Sequence, residues 1–127
     1  MQWYRTEDGV ERLRFEKALM NRFFPQFSLF ADDYDNLFWS GPIHLPDLGR
    51  EHGDVHLLYG YGHPYSMMEV YVYRPSLNPS VSHHIREDGK KICYLKDSHW
   101  RLTYTAVTIT GMAIRFLREY WTGRLEP

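Results

Sequence analysis

Residues 83–95 read HHIREDGKKICYL and form the most informative segment of this chain. They contain Cys93, the only cysteine among 127 residues, and Trp100 follows seven positions later. A lone cysteine cannot form an internal disulfide, so Cys93 is either a small buried apolar residue or a reactive thiol. The surrounding stretch, residues 75–101, has little periodicity and predicts a long loop. Loops of that length in compact domains are more often functional than filler.

The sequence on either side of this loop predicts an α+β domain with one helix at each end. Apolar residues recur at helical spacing over residues 8–22, where Pro25 ends the helix, and over residues 105–121, where Thr103 or Thr105 is a suitable N-cap. The apolar positions of the first helix are Val10, Leu13, Ala18, Leu19 and Phe23. Between the helices, alternating patterns predict a four-stranded antiparallel meander at residues 27–30, 36–45, 54–61 and 69–74.

Composition narrows the possible functions. A chain of 127 residues with 43% hydrophobic and 17% aromatic residues predicts one packed domain, residues 1–127. The net charge of −1, from 15 basic and 16 acidic residues, gives no electrostatic case for nucleic acid as a main partner. No stretch approaches the roughly 20 apolar residues that a membrane helix needs. The single cysteine and the absence of a signal-peptide pattern predict a cytoplasmic protein.

The order of these features resembles the ubiquitin-conjugating enzymes, whose fold is the UBC fold, over residues 8–121. Residues 38–43 (FWSGPI) resemble the family's second strand with its Gly-Pro-hydrophobic signature, and predict a break or bulge there. Residues 62–65 (GHPY) resemble its Tyr-Pro turn, although the order here is Pro-Tyr. Residues 83–93 resemble its His-Pro-Asn-Ile, Gly and Ile-Cys-Leu series.

The departures from the family pattern point to a subgroup. The asparagine of the His-Pro-Asn motif is missing, and His84 falls where it would sit. Gly89 and Cys93 are one residue further apart than usual, and the sequence carries one helix beyond the cysteine loop. These features resemble the short, stand-alone conjugating-enzyme-like proteins of bacterial antiphage operons of the CBASS type (cyclic-oligonucleotide-based antiphage signalling). That resemblance implies a cysteine that bonds the C-terminus of a cGAS-like nucleotidyltransferase and raises its activity.

The resemblance also implies roles for individual residues. Cys93 is the expected nucleophile and thioester site, and His84 is the candidate oxyanion donor or base. His83 is a further catalytic candidate. The expected supporting residues are Asp88, Gly89, Lys90, Lys91 and Trp100. We predict no cofactor and no metal, and the expected partner is a cGAS-like nucleotidyltransferase or a ubiquitin-like protein.

Two other function classes stay open. The same fold also serves as a catalytically inactive binding module, in which Cys93 is structural and a protein partner binds the exposed sheet or the cysteine loop. A metalloprotein that uses the seven histidines is the third interpretation. His52 and His56 have the spacing H-x-x-x-H, but Gly53 lies between them and the segment leads into a strand, whereas paired ligands at that spacing need a helix.

Overall fold

The computed structural model describes residues 1–127 and shows an α+β domain with two helices and one antiparallel sheet. The strands are neighbours in chain order. They are β1 (Ser28–Ala31), β2 (Leu37–Leu45), β3 (Arg50–Leu58), β4 (Glu69–Tyr73) and β5 (Lys91–Ile92). The α+β prediction is confirmed, whereas the predicted count of four strands is one too few.

Helix α1 (Glu7–Phe23) begins where the predicted helix begins, to within one residue. The Thr6 hydroxyl caps it by accepting a hydrogen bond from the Gly9 amide at 3.0 Å, and acidic side chains fill the first turn. Gly9 has no room for a side chain, because a Cβ there would lie 1.6 Å from the carbonyl oxygen of Trp3. The segment before the helix is therefore folded tightly against its first turn.

The buried face of α1 differs from the predicted apolar face. Val10 and Phe23 are 39% and 53% exposed, whereas Glu16 and Met20 are fully buried. The reason is tertiary: the Glu16 carboxylate finds hydrogen-bond donors from two other parts of the chain, which lets a charged residue take a core position. Sequence periodicity does not report such distant partners.

The centre of the sheet follows the predicted alternation. In β2 the side chains of Leu37, Trp39, Ile43 and Leu45 are buried at every second position. The register between β2 and β3 shifts between Gly41 and Ile43, which confirms the predicted bulge at the Gly-Pro pair.

Strand β3 begins earlier than predicted and ends earlier. Leu45 pairs with Arg50 across a short turn in which Gly49 has a positive φ of 62°, so β3 starts directly at that turn. Tyr61, the last residue of the predicted strand 54–61, is 72% exposed and lies outside β3.

The predicted long loop contains the strand that the sequence pattern missed, β5. Val70 and Tyr71 of β4 pair with Ile92 and Lys91. A two-residue strand has no periodicity to detect. It forms because the sheet edge offers unpaired main-chain groups and because Ile92, 2% exposed, fills the core.

Helix α2 (Ala106–Trp121) follows the predicted pattern closely. Thr105 is its N-cap in a capping box with Thr108, whose side chains bond each other's main-chain amides. Its buried side chains join those of the sheet and α1 in one cluster of 21 buried apolar residues. Neither helix combines the length and the apolar content that crossing a membrane needs.

Candidate functional site

Cys93 lies directly after β5, on the wall of a cleft of about 710 Å³. The residue is partly buried, and its amide donates a 2.7 Å hydrogen bond to the carbonyl oxygen of His84. Three parts of the chain form the cleft: the loop that contains the cysteine, the outer side of α2 and residues 124–126. Besides Cys93 and His84, its polar lining residues are Arg86, Lys96, Asp97, His99, Arg115, Glu119, Arg124 and Glu126.

A small hairpin brings His84 next to Cys93. Ile85 forms a bridge with Ile92, and the Arg86 amide donates to the carbonyl of Lys91 at 2.9 Å. His84 and Cys93 therefore face each other across the open end of this hairpin, and both line the cleft. The structure thus brings together the two residues that the sequence ranked highest. The Cys93 amide, already bonded to the carbonyl of His84, is not free to stabilise an oxyanion, so another group must supply that donor.

The residues between these two build the hairpin turn. Asp88 Oδ1 accepts hydrogen bonds from the amides of Lys90 and Lys91 at 2.8 and 3.1 Å, which lowers the pKa of the carboxyl group. Gly89 has a φ of 71°, and a Cβ there would lie 2.4 Å from the carbonyl oxygen of Leu77. Asp88 and Gly89 support the site through its backbone and lie outside the cleft lining.

The two predicted supporting lysines lie over the sheet. The Lys91 ammonium group is 2.5 Å from the Glu69 carboxylate, a hydrogen bond that raises the pKa of the lysine. Lys90 Nζ lies 5.7 Å from the centre of the Tyr73 ring, a cation–π distance. Neither lysine lines the cleft.

Trp100 also lies outside the cleft lining. Its indole N–H donates to the carbonyl of Pro64 at 2.8 Å, and its ring packs edge-on against Tyr104 at 5.5 Å between centroids. Trp100 thus connects the loop before α2 to the turn that leads into β4, which is a packing role.

His83 and His84 contact the last residues of the sequence. Their rings pack against each other with centroids 3.9 Å apart. His84 Nε2 is 3.9 Å from a carboxylate oxygen of Glu126, and His83 Nδ1 hydrogen-bonds the main-chain oxygen of Pro127. The Ser82 hydroxyl donates to the main-chain oxygen of Glu126. The Ser82 and His83 bonds each span 44 residues, and no local sequence pattern signals them.

A second polar group, here called the enclosed cluster, consists of Arg12, Glu16, Trp39, Tyr59 and His63. The Trp39 indole donates to the Tyr59 hydroxyl at 2.8 Å, and that hydroxyl donates to Glu16 Oε1 at 2.7 Å. Glu16 Oε1 also accepts from the first amide of α2 at 2.8 Å, and Arg12 Nε lies 3.5 Å from Oε2. No local sequence pattern signals this cluster, because its hydrogen-bond partners are far apart in the chain.

Burial controls ionisation in the enclosed cluster. It raises the pKa of Glu16 and, together with the Glu16 charge, that of Tyr59. It lowers the pKa of His63 to about 3, with a smaller contribution from the Arg12 charge. Neither ring nitrogen of His63 has a hydrogen-bond partner. No side chain of this cluster lines the cleft.

The remaining histidines offer no obvious metal site. His52 is fully buried; its Nδ1 lies 3.0 Å from the carbonyl oxygen of Pro75, and its Nε2 accepts from the Trp121 indole at 2.9 Å. Burial lowers the pKa of His52. His56 hydrogen-bonds Asp54 at 2.9 Å and does not form a pair of metal ligands with His52. No group of three or more His, Cys, Asp or Glu side chains is arranged to hold a metal ion.

Comparison with protein-family models, with curated proteins and with solved structures gave no match to this chain. The resemblance to the ubiquitin-conjugating family therefore rests on the order of the sequence motifs, and the function is argued from the cleft itself.

Proposed function

We propose that this protein is a cysteine-dependent acyl carrier of the ubiquitin-conjugating type, in which Cys93 receives the C-terminal acyl group of a protein partner as a thioester. One observation carries the proposal. The only thiol of the chain lines a cleft, and main-chain pairing holds His84 beside it. A cysteine and a histidine at paired main-chain positions of one cleft wall supply the nucleophile and the imidazole that acyl transfer through sulfur uses.

The chemical step needs an activated donor, which we take to be a thioester on an upstream carrier protein. The Cys93 thiolate attacks the carbonyl carbon, the new C–S bond forms, the donor's C–S bond breaks, and the donor sulfur leaves as a thiolate. The tetrahedral intermediate carries an oxyanion that needs a donor. Since the Cys93 amide already bonds His84, the proposed donor is the His84 imidazole.

The family resemblance suggests the partner and the setting. We propose that the partner is the C-terminus of a cGAS-like nucleotidyltransferase in CBASS antiphage defence, with a ubiquitin-like protein as the other acyl group to test. The proposed compartment is the cytoplasm, where thiols stay reduced. Arg86 and Lys96 on the cleft wall are positive and take part in no salt bridge, so they suit a partner segment that carries acidic groups.

The test is co-expression of the chain with the genes that flank it, followed by non-reducing gels and intact mass measurement. The wild type should carry a partner adduct that thiols and hydroxylamine remove. Cys93→Ala should carry none, and Cys93→Ser should hold the partner as an ester that resists thiols. Absence of any adduct that depends on Cys93 would refute the proposal.

The role of His84 has its own test. His84→Ala should slow adduct formation roughly 100-fold, the usual effect of losing an oxyanion donor or a base, while the fold stays intact. His99→Ala is the matched control, since His99 lines the same cleft but is not paired with Cys93. Wild-type rates in His84→Ala would show that this imidazole does not serve the transfer.

A noncatalytic binding module is the second candidate, and the outer face of the sheet favours it. Phe30, Phe38, His56 and Tyr73 form a row with successive ring centroids 5.7, 4.9 and 4.9 Å apart. Phe30 is 50% exposed. Exposed aromatic rows suit protein contacts. A noncovalent partner complex that survives Cys93→Ala and is lost in Phe38→Ala would favour this candidate over the carrier.

A further inference from the structure

We propose that residues 124–127 act as an intramolecular pseudosubstrate: they occupy a main-chain-reading groove beside Cys93, and an extended segment of the partner binds there in their place. The inference rests on the proposed function, because the segment that displaces them is the one that brings the acyl group to the thiol. It goes further by assigning a binding groove to residues 82–84 and a regulatory role to the tail.

The first support is the kind of atom that the groove contacts. Ser82 and His83 hydrogen-bond main-chain oxygens of Glu126 and Pro127, not their side chains. The Glu126 oxygen is a peptide carbonyl, which every extended peptide carries, so Ser82 can recognise an extended chain whatever its sequence, whereas His83 bonds an oxygen of the last residue in the sequence. Only the His84 contact, 3.9 Å from the Glu126 carboxylate, depends on a side chain of the tail.

The second support is the burial of Ser82, which is only 2% exposed. Its hydroxyl accepts from the His84 amide at 3.1 Å and donates to the main-chain oxygen of Glu126. A buried hydroxyl without an acceptor is costly, so if the tail leaves, the groove favours another carbonyl in the same place. The groove is therefore suited to exchange one extended segment for another.

The third support is the way the tail is held. Leu125 is partly buried and packs against the hydrophobic core, and the Arg124 amide donates to the carbonyl of Glu119 at 2.8 Å. Both neighbours of Leu125, Arg124 and Glu126, are exposed. One half-buried leucine and a few hydrogen bonds give an anchor weak enough to open reversibly.

The position of the tail links this anchor to the thiol. Arg124, Leu125 and Glu126 line the same cleft as Cys93 and His84. While the tail is bound, it forms part of the wall of the cleft that contains Cys93 and holds the carboxylate of Glu126 near the imidazole proposed as oxyanion donor. A negative charge there opposes an oxyanion, so the bound tail represents a resting state.

The experiment compares alkylation of Cys93 by two reagents, small iodoacetamide and a bulky polyethylene-glycol maleimide. The single cysteine makes the readout unambiguous, and Cys93→Ser supplies the blank. The tail variants are Leu125→Ser, which removes the anchor, and Ser82→Ala, which removes the hydroxyl that donates to the main-chain oxygen of Glu126. The matched controls are Leu102→Ser, at an exposed leucine, and Ser80→Ala, two positions away in the same loop. Circular dichroism and thermal melting check that every variant is folded.

If the inference is correct, the bulky reagent should react roughly fivefold faster with both tail variants, equivalent to about 1 kcal/mol of lost anchoring, and iodoacetamide should change less than twofold. The controls should match the wild type. A fluorescent synthetic peptide of residues 122–127 should bind Leu125→Ser more tightly than the wild type, whose own tail competes at high effective concentration. Unchanged labelling in the tail variants, an equal rise with both reagents, or no preference of the peptide for Leu125→Ser would overturn the inference.

These outcomes separate the two proposals. Faster bulky labelling without a partner adduct in co-expression would refute the acyl-carrier function and leave the tail displacement standing. A Cys93 adduct in co-expression together with unchanged labelling of the tail variants would support the acyl-carrier function and refute the tail displacement.

Discussion

The enclosed cluster and the Cys93 cleft contain similar residue types, yet they differ in what their polar groups bond. In the enclosed cluster, Glu16, Tyr59 and Trp39 bond one another and the start of α2, away from solvent. Beside the cleft, Ser82 and His83 hydrogen-bond residues 126 and 127, a segment that the half-buried Leu125 anchors.

The comparison shows that a perturbed pKa alone is a poor guide to function in this protein. Large shifts at Tyr59 and His63 belong to groups that are buried in the interior, and burial also raises the pKa of Tyr94, which lines the cleft. Structural hydrogen-bond networks shift pKa values as active sites do. Whether a partner can reach the groups must therefore distinguish a functional site from a structural network. By that criterion the cleft is the candidate site, and the enclosed cluster stabilises the fold.

The largest expected effect is loss of the enclosed cluster's central acceptor. Glu16→Ala leaves the Tyr59 hydroxyl, the first amide of α2 and Arg12 without their partner, and should lower the free energy of unfolding by about 4 kcal/mol. Urea unfolding measures it. Glu11→Ala is the matched control on the same helix, because Glu11 is 75% exposed and pairs only with Arg14, and it should cost less than about 0.5 kcal/mol. If Glu16→Ala lowered the free energy of unfolding as little as Glu11→Ala does, the enclosed cluster would not have the structural role proposed for it.

Acid should destabilise the protein through His63. Its folded pKa of about 3 lies below the ordinary value of 6.5, so the unfolded state binds the proton more readily as the pH falls. This contribution to stability is complete above pH 6.5 and is lost as the pH falls toward 3, at up to about 1.4 kcal/mol per pH unit. Burial also lowers the pKa of His52, which adds a loss of the same sign.

The ionisation of Glu16 changes the stability with pH in the opposite direction to that of His63. Its raised pKa means that the folded state favours the protonated carboxyl, a contribution present below 4.5 and lost as the pH rises through the folded pKa. Urea unfolding from about pH 7 to 4 should therefore show a net loss of stability that His63→Leu reduces and His44→Leu, at an exposed ring, does not. An unchanged pH slope in His63→Leu would contradict the assignment.

A substitution in the hairpin turn at Gly89 should have a smaller effect on stability. Gly89→Ala should lower stability by about 2 kcal/mol, because a Cβ at φ 71° would collide with the carbonyl of Leu77. Gly111→Ala is the matched control: nothing lies within 4 Å of its Cβ position in α2, and it should gain up to about 1 kcal/mol. Thermal melting compares them. Equal melting temperatures would show that the hairpin does not need this turn.

The parts of the fold with regular local patterns were predictable from the sequence. The alternation in β2 and the periodicity of α2, with its Thr105 cap, describe each element without reference to others. Strand β5 was missed because it has only two residues, and the buried face of α1 was wrong because Glu16 depends on donors 43 and 90 positions away.

The candidate site was also only partly predictable from the sequence. Cys93 and His84 were named as candidates within one predicted loop, but the short hairpin around Asp88 and Gly89 that pairs their main chains was not predicted. Lys90 and Lys91 point to the sheet because strand pairing, not proximity to the cysteine, decides their direction. The tail contacts join positions 44 residues apart and have no local signal.

The smallest expected effect on stability is at the cysteine itself. Cys93→Ser exchanges one atom in a partly buried side chain and should change the free energy of unfolding by less than about 1 kcal/mol. Urea unfolding checks this. A much larger loss would indicate a packed, structural thiol and would favour the binding-module candidate.

The most direct test of the central claim is peptide mapping by mass spectrometry of Cys93→Ser after co-expression with the flanking genes. The acyl-carrier account predicts a partner C-terminus joined through an ester to residue 93, with no such linkage in Cys93→Ala. A partner joined to a lysine instead, or no covalent partner in either variant, would contradict the account.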